Sequence, residues 1–245
     1  MLTFTLLLAA SSLSGSNAPP GDDFGSIAGK IVWEGEKPAP KADITMDEKA
    51  LTGCKHDHIS KKDETLLIDG NGGVANVVVS IEVAGAEKKV PAEPIEIDQE
   101  GCRFHPHVVV VPVGATLRFA NSDETNHNIH TYAKKNDSIN KNVAAAGNTD
   151  QKLDKAEVID VKCDIHPWMK GYVVVTDATH YAVSGADGSF EIKGLPAGEY
   201  EVTTWHEELG KGKTEKVKVE AGKQATLAHK VSADKKGGGG GRRPR

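Results

Sequence analysis

Residues 163–169 read Cys-Asp-Ile-His-Pro-Trp-Met, and this heptapeptide constrains the fold more than any other part of the 245-residue chain. It carries a thiolate, an imidazole and a thioether at the spacing Cys-x2-His-x2-Met, between two strand-like runs at 158–162 and 171–176. A turn this short, holding three side chains able to share one metal ion, has little conformational freedom. A fourth ligand must then come from a neighbouring strand, which joins two parts of a sheet. His127, in Asn126-His127-Asn128-Ile129-His130, fits that place. Residues three apart on a strand face opposite ways, so His130 is expected beside such a site and not in it.

Two His, one Cys and a weak axial Met are the donor set of a blue-copper electron-transfer centre: soft sulfur suits Cu(I), and imidazole suits both oxidation states. The plain alternative is core packing, since Cys and Met are both soft interior residues. Context favours the metal: strands on either side, Asn121 six residues before His127, and a Val113-Gly114 turn opening the preceding strand. The pattern His-Asn-x-His followed by Cys-x2-His-Pro-aromatic-Met resembles the cupredoxins, and among them the amicyanins and pseudoazurins, whose ligand loops are similarly short. The resemblance spans residues 100–177, about a third of the chain. It implies one type 1 copper held by His127, Cys163, His166 and Met169. It gives Asn121 the role of tying the two ligand loops together, and puts Pro167 and Trp168 in an apolar docking face around a surface edge of His166. Asp164 stands where that family usually has Ser or Thr; it can accept the same hydrogen bond, and its charge would lower the potential.

The C-terminal part carries a second resemblance. Residues 182–200 run strand, Asp187-Gly188 turn, strand, Gly194-Leu195-Pro196-Ala197-Gly198 turn, strand, ending at Tyr200. This is similar to carboxypeptidase-regulatory-like (transthyretin-like, or prealbumin-like) β-sandwiches. Residues 214–219 and 225–231 supply further strands, and the pair such a sandwich still lacks is expected at 26–33 and 74–82. The whole therefore reads as an all-β chain, a Greek-key cupredoxin inserted in a transthyretin-like sandwich. The expected boundaries are a leader at 1–24, sandwich at 25–91, cupredoxin at 92–177, sandwich at 178–232 and a disordered basic, Gly-rich tail at 233–245. A short strand is expected at 64–68 and a strong one at 74–83, and the polar stretch 133–155 as a long surface excursion, a lid or a partner-contact element.

The net charge of −5 already includes Lys235, Lys236, Arg242, Arg243 and Arg245, so the rest of the chain carries −10. An acidic body favours a basic redox partner, such as a basic cytochrome c, over nucleic acid. The short apolar run opening the chain, followed by Ser16-Asn17-Ala18, reads as a secretory signal with no basic residues before it, and is too short to span a bilayer. A periplasmic or secreted location follows. Setting Cys163 aside leaves Cys54 and Cys102, an even pair suited to a disulfide in an oxidising compartment. The rival readings are free thiols or a second metal held among His56, His58, His105 and His107. Trp205-His206-Glu207 reads as structural, Trp205 in the core and His206 near the domain junction, since strand neighbours face opposite ways.

Three functions are compatible with these features. The first is a one-electron carrier, with all four copper positions filled by protein and none left for a substrate. The second is a copper oxidoreductase needing a second copper. The third is a non-redox surface or carbohydrate-binding module.

Overall fold

The computed structural model describes residues 23–54 and 59–233. Residues 1–22 of the expected leader, His56, His58 and residues 234–245 of the expected tail lie outside them, while Phe24 already belongs to the first strand. Among the described residues there is no helix, and none long and apolar enough to cross a membrane. The strands are β1 (Phe24–Trp33), β2 (Val78–Ile81), β3 (Ile95–Glu100), β4 (Arg103–His105), β5 (Val108–Pro112), β6 (Thr116–Asn121), β7 (His127–Tyr132), β8 (Asn140–Val143) and β9 (Asn148–Lys152). They continue with β10 (Glu157–Lys162), β11 (Lys170–Thr176), β12 (His180–Val183), β13 (Ser189–Pro196), β14 (Gly198–His206), β15 (Gly210–Lys211), β16 (Glu215–Val219) and β17 (Gln224–Val231).

One sandwich pairs the sheet β5-β11-β10-β7-β8 with the sheet β4-β3-β6-β9. The other pairs β13-β1-β17 with β12-β2-β14-β15, β16 lying against β14. N-terminal β1 sits between β13 and β17, and β2 between β12 and β14, so the second sandwich is built from both ends of the chain around the first.

Period-2 alternation explains how the sandwiches join. In β5 and β11, Val109, Val111, Val173 and Val175 point into the first core. Val108, Val110, Tyr172 and Val174 point the other way and pack with Val78, Tyr181, Val183 and Trp205 of the second sandwich. That is why Val-Val-Val-Val reads as an unbroken apolar run: both of its faces are covered. The Asp187-Gly188 turn holds its expected place, with Gly188 at φ +79° and Asp187 Oδ1 accepting the Ser189 N–H at 3.0 Å.

Three expectations need correction. Residues 133–155 are not one surface loop. They contain β8, which pairs with β7, and β9, which pairs with β6, so one strand completes each sheet. The 74–83 strand shrinks to β2, because Asn76 adopts φ 61° and breaks the ladder; asparagine tolerates that region better than most residues. At 64–68 only an isolated bridge from Ile68 to Val74 forms.

Candidate metal centre

The site lies where the β10–β11 turn meets the start of β7. Cys163 N–H donates to Met169 O (3.4 Å) and Met169 N–H to His166 O (2.9 Å), which closes the turn on itself. Strand pairing of Lys162 with His130 and with Lys170 sets the turn beside His127. His127 is fully buried at the first position of β7, whereas His130 is half-buried on the opposite face, as the three-residue spacing requires.

The imidazoles of His127 and His166 bring their Nδ1 atoms to 2.9 Å of each other. Cys163 Sγ lies 4.0 Å from the first and 3.8 Å from the second. Met169 is wholly buried in the same core. The outer ring nitrogens are both committed. His127 Nε2–H donates to Asp123 Oδ2 (2.9 Å), and His166 Nε2–H donates to the carbonyl of Ala50 (2.9 Å). A carbonyl and an ionised carboxylate only accept, so Nε2 carries the proton in each neutral ring and each Nδ1 offers a lone pair. Two lone pairs and the Cys163 sulfur thus converge among buried side chains, an arrangement that a cation stabilises. The residues present fit a soft-sulfur and imidazole metal site.

Without a metal, the electrostatics favour a different protonation state of the same groups, a thiolate beside a protonated His127 whose Nδ1 proton a bound cation would displace. Burial raises the Cys163 pKa, but hydrogen bonds from His127 and His166, and from the Asn128 and His166 backbone, outweigh it and bring the thiol down to about 6. Burial works against protonation of His127, yet Asp123 and Cys163 overcome it and raise its pKa. Asp123 also accepts the N–H groups of Gly101 and Cys102, each at 2.8 Å, so the carboxylate is anchored before it orients the ring.

The tie between the ligand loops falls to a different asparagine from the one expected. Asn121 Nδ2 donates to Thr125 O and Val143 O, and Asn121 Oδ1 accepts from Asp123 N–H; it braces the approach to His127 and β8. Asn128 instead reaches across, its Oδ1 accepting Asp164 N–H (2.5 Å) and its Nδ2 donating to Asp164 Oδ2 (3.0 Å). Adjacency to a ligand histidine was the sequence signal for it. Asp164 also accepts from Asn140 Nδ2 and pairs with His130 Nδ1 (3.0 Å), and these contacts hold its carboxyl below the usual range.

The surface edge expected for His166 is not there. The residue is buried, and its outer nitrogen is taken by Ala50. Pro167 is exposed, but Trp168 is half-buried with its indole N–H donating to Cys102 O (3.1 Å), so the pair does not ring an open imidazole. Cys54 and Cys102 form a disulfide with Cα atoms 5.4 Å apart. Cys102 Sγ lies 3.9 Å from the Nε2 of both His127 and His166. The two other ligand clusters near the site, Cys54–Cys102–His166 and Cys102–Asp123–His127, both use these crosslinked sulfurs. Among the described residues, neither His105 nor His107 joins a cluster of three potential ligands. Nothing in the sequence pointed to Ala50, whose contribution is a backbone oxygen. The spacing Asp-x3-His was a weak sign of Asp123.

Residues 92–176 match copper binding proteins of the plastocyanin/azurin family, and residues 169–232 match the carboxypeptidase regulatory-like domain. Among solved structures, a Cu-containing nitrite reductase from Thermus scotoductus SA-01 aligns at 24% identity over 39% of this chain and 25% of its own length, TM-score 0.34. A purple cupredoxin from Nitrosopumilus maritimus aligns at 22% identity over 33% of this chain and 98% of its own, TM-score 0.29. A reduced amicyanin variant aligns at 22% over 40% and 98%, TM-score 0.33. The chain thus spans a quarter of the nitrite reductase. Among curated proteins, none matches the chain.

Proposed function

We propose that this protein binds one type 1 copper through His127, Cys163, His166 and Met169 and carries single electrons between redox partners, a reading supported by the match of residues 92–176 to copper binding proteins of the plastocyanin/azurin family. The observation that carries the reading is the meeting of both Nδ1 atoms and Cys163 Sγ in a buried pocket whose outer ring nitrogens are already held. Bound copper supplies a Cu(II)/Cu(I) couple that gains or loses one electron. The chain does the rest. Asp123 and Ala50 fix the imidazole planes and tautomers. Asn128 pins the Cys163 turn to β7, and burial keeps water out. A site held this way rearranges little when the charge of its ion changes, which suits a carrier. Four protein ligands leave no position for a substrate, which favours carriage over catalysis.

Export to an oxidising compartment is part of this proposal, supported by the Cys54–Cys102 disulfide. So is a basic partner protein, which the acidic body would steer with an on-rate that falls as salt rises.

Metal analysis and a visible spectrum of the oxidised protein test the reading. One copper per chain and an intense thiolate-to-copper charge-transfer band are expected. Zinc alone, with no copper taken up on reconstitution, would sink it.

A further inference from the structure

We propose that residues 47–54 form a disulfide-latched lid that closes the imidazole edge of the metal centre and positions His166. This segment lies outside both matched domains. It is nevertheless folded into the site. Met46, Leu51 and Cys54 are buried in the same core as Cys163 and Met169. The segment turns tightly, Ala50 and Leu51 N–H donating to Asp47 O and Cys54 N–H to Leu51 O.

Three ties then fasten it over the ligands. Gly53 O accepts Glu124 N–H at 2.8 Å, beside the Asp123 that holds His127. Ala50 O accepts His166 Nε2–H at 2.9 Å. The Cys54–Cys102 crosslink spans 48 residues and puts Cys102 Sγ against both outer ring nitrogens. Trp168, from the ligand turn, adds its indole N–H to Cys102 O.

The effect on exposure is sharp. His127 and His166 are 0% and 2% exposed, while Ile165, next to His166, is 46% exposed. The turn itself therefore reaches solvent, and it is the lid that seals the ring. Because a backbone carbonyl cannot donate, Ala50 also dictates which His166 nitrogen keeps its proton, leaving Nδ1 for the metal. Resting on the electron-carrier reading, one consequence follows: with the lid closed, no partner touches either imidazole edge, and electron exchange through His166 is throttled.

The test uses the full-length chain without metal, acylated by diethyl pyrocarbonate and mapped by mass spectrometry, with exposed His105 as internal reference. In the native protein His166 reacts about tenfold or more slower than His105, its access requiring local opening. Cys54→Ser/Cys102→Ser removes the latch and brings His166 to within a few-fold of His105. Gly53→Ala keeps the crosslink but strains the lid, because Gly53 sits at φ +87° and an added Cβ would lie 2.9 Å from Thr125 Cβ. It gives an intermediate rate. His166 reacting as fast as His105 in the native protein, or staying protected in both variants, overturns the lid. On copper-loaded protein, electron self-exchange rises severalfold in the variants that expose His166; an unchanged rate overturns the throttling. Failure to take up copper at all would refute the carrier reading, while the acylation result would still decide the lid.

Discussion

Two regions of this molecule bury a histidine against a carboxylate, and they do different things with the pair. At the metal centre, His127 and Asp123 have side chains that are both 0% exposed. At the junction of the two sandwiches, His107 and Glu207 are 5% and 1% exposed and also hydrogen-bonded. The difference lies on the ring's second nitrogen. His127 Nδ1 faces His166 and Cys163, whereas His107 Nδ1 makes no hydrogen bond and is 3.6 Å from Glu64, which is engaged by Arg103. Glu207 also takes the Lys170 ammonium at 3.0 Å. Burial pushes its pKa up, but His107 and Lys170 overcome that and keep it ionised. One pair aims an imidazole at a common point; the other clamps two domains. A buried histidine–carboxylate pair is thus not by itself a sign of a site.

The largest effect on this contrast comes from Cys163→Ser. It should abolish the charge-transfer band entirely, because an alcohol oxygen does not replace the soft thiolate, while the junction and its thermal unfolding transition stay nearly native. Visible spectra and calorimetry of the same sample check both halves. The converse change, Glu207→Ala, strips the partner from His107 and Lys170. A loss of about 3 kcal/mol in unfolding free energy is expected, since it leaves the buried His107 and the half-buried Lys170 without their acceptor, with the copper spectrum unmoved. A spectrum that changes with it would mean that the clamp reaches the metal through Lys170 and Met169.

Acid sharpens the comparison next. His206, beside the clamp, is 2% exposed; its Nδ1 accepts Glu208 N–H and its Nε2 has no protein partner. Burial pushes its pKa from 6.5 down to about 4. Below pH 6.5 an unfolded chain therefore binds a proton that the folded one refuses. The stability this group contributes is full above that pH and is lost on falling toward 4, about 3 kcal/mol in all. Denaturant titrations across the range should show the slope, and His206→Gln should flatten it.

The smallest change is Asp123→Asn. It weakens the acceptor for His127 and for two backbone N–H groups, and should cost about 10- to 100-fold in metal affinity, measured by competition with a chelator. No loss would mean that packing alone orients the ring.

Much of this molecule was legible in its residues. The strand-like runs at 158–162 and 171–176 located β10 and β11, the place of His127 located β7, and the Asp187-Gly188 signal located the turn before β13. The strands β8 and β9 were hidden because Asn140, Lys141 and Asn142, and Asn148, Asp150 and Lys152, are polar and mostly exposed. These segments are strands because β7 and β6 offer free edges, not because of their own composition.

The sequence by itself determined which side chains could hold a metal, since Cys-x2-His-x2-Met packs three donors into one turn whatever surrounds it. It also determined that strands enclose that turn, because alternation is a local property of the chain. Only the tertiary structure decided how those donors are held and who can reach them. The oxygen that fixes His166 belongs to Ala50, 116 residues away, and has no residue type to betray it. The asparagine that joins the loops is Asn128 and not Asn121, a choice made by which face of β7 meets the turn. Exposure of an imidazole edge depends on what folds over it, and that is a property of packing between distant segments.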